Sequence, residues 1–375
     1  VSLRRFASTA AMALALGLLA AGNSGTALAD TQEEPAPREP AQESGQEAAQ
    51  EGGEGTAQEE STTVTYGPWT IPAAEGDHEG GDGSGEDGGH EHAEEGAATA
   101  AGGLGGWPGS GDEEDEHAHH GQEGGIELNI DKPCEDCFIT GFTPKMTYED
   151  GTEAHVNEGP MLHHYVIFNS SARDAVCPGS ERKLSSGNER ISTDFPEGYG
   201  MKIEDRERWH MNYDLMNMDP AEAKDVNIEI DFTYVDASEA GDMQPLTPLW
   251  LDVGGCFGSA YDIPEGDTTD SNTWTSDVSG DLVHSRGHLH HGGHSLWTEN
   301  TTQGTELCHI TAEEGGSPEF IDMEGHGQIS DMPPCSGELG RVEEGDVLET
   351  SARYVVEGHS HTGVMGIMVG YLAED

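Results

Sequence analysis

The run Val226-Asn227-Ile228-Glu229-Ile230-Asp231-Phe232 alternates apolar and polar residues without a break. Side chains along an extended strand point to opposite faces in turn, so this run reads as a half-buried antiparallel strand. Further runs rich in Val, Ile, Tyr, Phe and Thr fall at 138–142, 162–168, 249–253, 282–285, 347–356 and 364–372, with Gly, Pro, Asp and Asn between them. Short strands at this spacing predict an all-β fold, a sandwich or jelly roll rather than α/β. Residues 236–248, rich in Asp, Gly and Pro, mark a seam between two halves.

The segments on the N-terminal side have a different character. Residues 1–29 read as a secretory signal peptide: Arg4-Arg5, an apolar run from Ala10 to Ala21, then the small-x-small site Ala27-Leu28-Ala29. Val at position 1 suggests an alternative start codon, hence a bacterial export substrate. No later apolar run reaches the roughly 18 residues that a membrane-spanning helix needs. Residues 30–125 are dominated by Gly, Glu, Ala, Asp and Gln, which bury too little apolar surface to offset ordering entropy, so disorder is expected. The exception is Thr63-Val64-Thr65-Tyr66-Gly67-Pro68-Trp69-Thr70-Ile71, which can dock as a strand. A net charge of −57 argues against nucleic acid or anionic membrane as partners. All 6 cysteines lie beyond residue 126, and an even number in an exported chain favours disulfides over a redox or zinc pair at Cys134 and Cys137. Their pairing stays open.

Histidine is the residue type that carries chemistry here. In Gly287-His288-Leu289-His290-His291-Gly292-Gly293-His294, strand geometry puts His288 and His290 on one face, with His291 facing away. Two imidazoles side by side need one or two further ligands to hold a transition metal. In Met161-Leu162-His163-His164-Tyr165, adjacent histidines point apart on a regular strand and reach one metal only at a bulge or strand end. One buried structural and one surface histidine is the plainer alternative. His210, between Trp209 and Met211, reads by itself as a core histidine. In Gly358-His359-Ser360-His361-Thr362-Gly363-Val364-Met365, the thioether is a candidate soft ligand, and sulfur with imidazole selects copper over zinc. His359, His361 and Met365 have matching parity and form a rival site, weakened by a bend expected at Gly363. In the acidic segment His117-x-His119-His120 repeats the spacing of His288-x-His290-His291, as a loose metal-gathering tail or within a solubilising linker.

Taken in order, these motifs resemble the copper type II, ascorbate-dependent monooxygenases, the peptidylglycine α-hydroxylating and dopamine β-monooxygenase type. They are also similar to plant stress-upregulated nodulin-type secreted proteins. The resemblance covers most of 126–375. It implies two antiparallel jelly-roll β-sandwich domains following the disordered acidic segment. The first, 126–240, would hold one copper on His163, His164 and His210. The second, 241–375, would hold another on His288, His290 and Met365, where O2 binds. Copper, two per chain, is then the implied cofactor, ascorbate the reductant, and a small organic molecule the substrate hydroxylated at a C–H bond. Arg286 matches an arginine that grips a substrate carboxylate in that family, with a surface salt bridge as its alternative. Ile367 and Val369 stand where the amidating enzymes carry Asn and Tyr, so a peptidyl-glycine substrate is not supported. The expectation is a secreted, extracellular copper oxidoreductase, and the alternative is a non-catalytic copper-binding or storage protein.

Overall fold

The alternating run folds as its pattern requires. Val226, Ile228, Ile230 and Phe232 are fully buried, while Asn227, Glu229 and Asp231 lie half-buried on the opposite face. A computed structural model of the chain describes residues 58–74 and 120–375. The strands in the first half are β1 (Glu59–Ile71), β2 (Gly121–Ile130), β3 (Cys137–Thr147), β4 (Pro160–Arg173), β5 (Ser180–Gly187), β6 (Thr193–Asp194), β7 (Tyr199–Ile203), β8 (Trp209–Asn217) and β9 (Lys224–Asp236). There follow β10 (Gln244–Asp252), β11 (Tyr261–Ile263), β12 (Gly266–Thr275), β13 (Gly280–Leu289), β14 (Gly293–Asn300) and β15 (Thr305–Thr311). The last are β16 (Glu313–Glu314), β17 (Ile329–Asp331), β18 (Cys335–Val342), β19 (Val347–Val356), β20 (His361–Val364) and β21 (Gly366–Glu374). Among the described residues, helix is limited to two single 3-10 turns, Val156–Glu158 and Pro318–Phe320. None of the described helices is long and apolar enough to cross a membrane.

One 9-stranded sheet, in the order β1-β9-β3-β7-β10-β21-β13-β18 with β6 paired to β3, runs through both halves of the sequence. Two 4-stranded sheets, β2-β8-β4-β5 and β12-β19-β14-β15, complete the main framework. The expected seam at 236–248 is where β10 starts. There Gln244 and Pro245 pair in parallel with Tyr199 and Gly200, so the pairing is not purely antiparallel as expected. Strand structure also begins ahead of residue 126: β1 pairs antiparallel with β9 from Glu59 to Ile71, and β2 begins at Gly121. The span expected to be disordered thus contains strands at both places, and the Thr63–Ile71 exception docks as part of β1. The signal-peptide expectation, and the remainder of the acidic segment, lie outside the described residues.

Burial explains why β21 lacks the alternation of β9. Ile367, Val369 and Tyr371 pack in a core with Leu162, Tyr165, Ile167, Met211 and Leu215 of the β2-β8-β4-β5 sheet. Met368 and Leu372 face the other way, into a core with Leu296, Ile310, Leu348, Ala352 and Tyr354. A strand buried on both faces reads as a continuous apolar run, here Ile367-Met368-Val369-Gly370-Tyr371-Leu372. β21 therefore separates two cores, and β13 beside it carries the histidines. The cysteines pair as Cys134–Cys137, Cys177–Cys256 and Cys308–Cys335, with none left free. Three disulfides suit an oxidising compartment.

Candidate metal centre

The His-His pair sits on a β-bulge. Along β4 and β8 the register runs Leu162 opposite Leu215 and then His164 opposite Asp214, which leaves His163 as the extra residue. A bulge re-aims a side chain that a regular strand would send to the far face. Here it brings the rings of His163 and His164 to 4.8 Å between centroids. His163 accordingly lies 4.7 Å from the ring of His290, and His290 lies 5.2 Å from that of His288. The four imidazoles form one continuous group where the end of β4 meets the end of β13.

Two carboxylates, buried Glu189 and half-buried Asp214, set the orientation of two of these rings. Asp214 Oδ2 is 2.9 Å from His163 Nδ1. Both carboxylate oxygens of Glu189 lie 3.2 Å from His288 Nδ1, and Oε1 also accepts the Gly187 N–H at 3.0 Å. A carboxylate on Nδ1 fixes the tautomer and leaves Nε2 as the outward donor, the arrangement that metal-binding histidines use. His288 Nε2 is buried and makes no hydrogen bond, a costly state unless a ligand such as a metal ion completes it. His163, His164 and Asp214 offer donor atoms that all lie within 4.8 Å of one another. Because Asp214 already holds His163 Nδ1, its more fitting role is orienting that ring.

At His164 electrostatics favour neutral imidazole, the form that binds metal. Burial, reinforced by His163, pushes His164 down to about 3. Burial alone would raise the Glu189 carboxyl, but the charge and hydrogen bond of His288 outweigh it and the net shift is downward. Close packing supports the same geometry. A Cβ placed on Gly187 would lie 2.4 Å from His288 Cε1, so only glycine lets the ring sit against β5.

The grouping differs from the one expected from sequence. His163 and His164 stand with His288 and His290, not in a separate centre with His210. His210 stacks on Phe168 at 4.8 Å between centroids and 7° between planes, with Nδ1 2.9 Å from Ser170 Oγ. It lies four residues along β8 from Asp214, roughly 13 Å at the rise of an extended strand. Burial lowers the His210 pKa. Met365 is buried in the first core, one residue beyond the Leu289–Gly366 pair and hence on the face of His290. Its carbonyl accepts the Tyr354 hydroxyl, which in turn accepts the His290 N–H at 3.0 Å.

Arg286 is buried on the same face of β13, its Nη1 donating to Thr193 Oγ1 at 3.2 Å and its guanidinium 5.1 Å from the Phe142 ring centre. Among the described residues Arg286 is in no ion pair, the surface salt bridge that was its alternative role. His359 and His361 stack in a row with His291. Sequence reading missed Glu189, which sits in the turn after β5 among 73 acidic residues and carries no distinguishing motif. Asp214 had a usable signal, since it shares strand parity with His210 and follows the His-containing run.

Comparison with known proteins adds an independent line. No family model matches the chain. "Probable copper-dependent oxygenase M1" of Phoma sp. (strain ATCC 20986 / MF5453) is 27% identical over 269 residues, 66% of this chain and 67% of that protein. "Probable copper-dependent oxygenase clz3" of Cochliobolus lunatus is 26% identical over 258 residues, 62% of this chain and 78% of that protein. The chain is thus distantly similar to copper oxygenase-like proteins. Among solved structures, PNGF-II is similar with a TM-score of 0.36 and 10% identity, covering 83% of this chain and 65% of that one. A likeness at that level carries no argument about fold or function.

Proposed function

We propose that the protein is a copper oxidoreductase of the oxygenase kind, exported from the cell, that acts with O2 on a small organic substrate. The observation that carries this reading is the convergence of His163, His164, His288 and His290 with two Nδ1 atoms tied to carboxylates. Imidazole nitrogen is a donor that suits copper, and the donor atoms of His163 and His164 already lie within 4.8 Å of one another beside the rings of His290 and His288. Copper bound there supplies the one-electron chemistry that couples O2 to oxidation of an organic C–H bond. The chain's own residues do the rest. Asp214 and Glu189 hold the rings of His163 and His288 in the tautomer that points Nε2 outward, and burial keeps His164 neutral. Met365, on the face of His290, is the adjacent soft donor that the family resemblance offers for the same centre.

One copper per chain, at the four-histidine centre, is the number proposed in place of two divided by domain. Ascorbate is the proposed reductant. The test is O2 uptake by copper-loaded protein with ascorbate and a panel of small organic substrates. Uptake that depends on copper, and disappears in His288→Ala, supports the reading. Tight copper binding with no uptake under any of these conditions would replace it with the copper-storage alternative. The burial of Ile367 and Val369 in the first core is the feature that favours that second reading, because it fills space on the same face.

A further inference from the structure

The turn after β13 presents histidines in two directions. His290 joins the buried group, and the next residue, His291, starts the crossover to β14 and turns outward. There it meets a second set of rings. His291 and His361 stack at 5.6 Å between centroids and 23° between planes, and His361 and His359 stack at 4.9 Å and 23°. Two chain segments some 70 residues apart thus bring three imidazoles into one row. The row is built rather than incidental. Val355 N–H donates to the Gly292 carbonyl at 2.9 Å, tying the end of β19 to the turn. Gly358 N–H donates to Glu265 Oε1 at 3.1 Å and Gly363 N–H to Asp262 Oδ1 at 3.2 Å, which pins the loop bearing His359 and His361 from both sides. Glu314 Oε1 lies 3.2 Å from His291 Nδ1 and accepts the Gly292 N–H at 2.6 Å.

We propose that His291, His359 and His361 form a second, exchangeable site for a divalent transition-metal ion, with Glu314 orienting His291. Three imidazoles with a carboxylate on one Nδ1 are the donor chemistry that takes Cu2+ or Zn2+. The setting adds to it: a chain with net charge −57 concentrates cations at its surface, and Glu265, Asp262 and Glu314 surround this row. His359 is exposed and His291 and His361 are partly exposed, so the rings can turn about their side-chain torsions from stacking to convergence on one ion. The same exposure makes the site faster to fill and to empty than the buried centre. Its place at the outward side of the turn that carries His290 suits a site where metal is first acquired. It does not depend on the buried centre being catalytic.

The experiment is equilibrium dialysis of the full-length protein against buffered Zn2+, with bound metal counted by elemental analysis. Zinc is redox-inert, so the count is independent of any oxidase activity. Four proteins are compared: wild type, His359→Ala/His361→Ala, His291→Ala, and His309→Ala, whose exposed imidazole stacks on Trp297 outside the row. The expected result is one fewer zinc per chain in the double variant and in His291→Ala, at a concentration where His309→Ala matches wild type. An unchanged count in the double variant overturns the proposal. So does an equal loss in His309→Ala, which would mean that any histidine on this acidic surface gathers metal.

Discussion

At the scale of single residues, the account rests on what holds each ring. Glu189 is buried and touches His288 through both oxygens. Glu189→Gln keeps the shape and removes the charge, so the Nδ1–H loses its strongest acceptor. Copper affinity is expected to fall by roughly 10–100-fold, read by competition with a chelator of known affinity, while far-ultraviolet circular dichroism stays unchanged. Asp252 provides a second residue-level test, remote from the histidines in sequence. Burial pushes its carboxyl up to about 6, against the pull of Ser259, the Gly254 N–H and Trp250. A folded-state pKa above the unfolded value means that the neutral form is favoured in the fold. The associated stability is fully present below about pH 4 and is lost as pH rises through 6, a loss of about 3 kcal/mol. Asp252→Asn is neutral at every pH. The difference in unfolding free energy between variant and wild type is therefore expected to change by about that amount between pH 4 and pH 7.5, measured by urea denaturation. A difference independent of pH would contradict the shift.

At the scale of elements, the strands were legible because one buried face imposes a period of two, as in β9. β21 was legible as a strand but not in its role. A run apolar at every position shows burial on both faces only once the sheets on either side are known. The His163-His164 pair could be read conditionally: the two rings could meet only at a bulge, and the register supplies one. What sequence could not supply was which strands come together. The family resemblance assigned His163 and His164 to His210, but β4 and β13 bring them to His290, and β8 carries His210 away along its length. The approach of β5 to β13 is equally invisible in the sequence and can be tested. Gly187→Ala drives a methyl group into the His288 ring and the Glu189 carboxylate, at 2.4 and 2.6 Å before relaxation. The variant is expected to fold, since the clash is with side chains. Its copper affinity should fall at least tenfold. Unchanged affinity would mean that the His288 ring position is not needed for binding.

At the scale of the whole molecule, the nine-stranded sheet and the Cys177–Cys256 disulfide join the two halves of the sequence. That bond follows β4 at one end and β10 at the other, with a sequence separation of 79. Closing a loop of that length in the unfolded chain corresponds to about 4.5 kcal/mol on the chain-entropy treatment. Cys177→Ser/Cys256→Ser is expected to lose stability up to that amount in denaturant titration, with the centre's copper affinity retained below the new midpoint. The sharing of one sheet also explains how histidines from opposite halves of the sequence reach one another. The most direct test of a single shared centre is a count of tightly held copper in His163→Ala, His288→Ala and the double variant, dialysed against copper buffered to favour the wild-type centre. The account predicts that each single variant loses the same one copper per chain and that the double variant loses no more. Loss of one copper in each single variant and of two in the double would place His163 and His288 in different centres and contradict it.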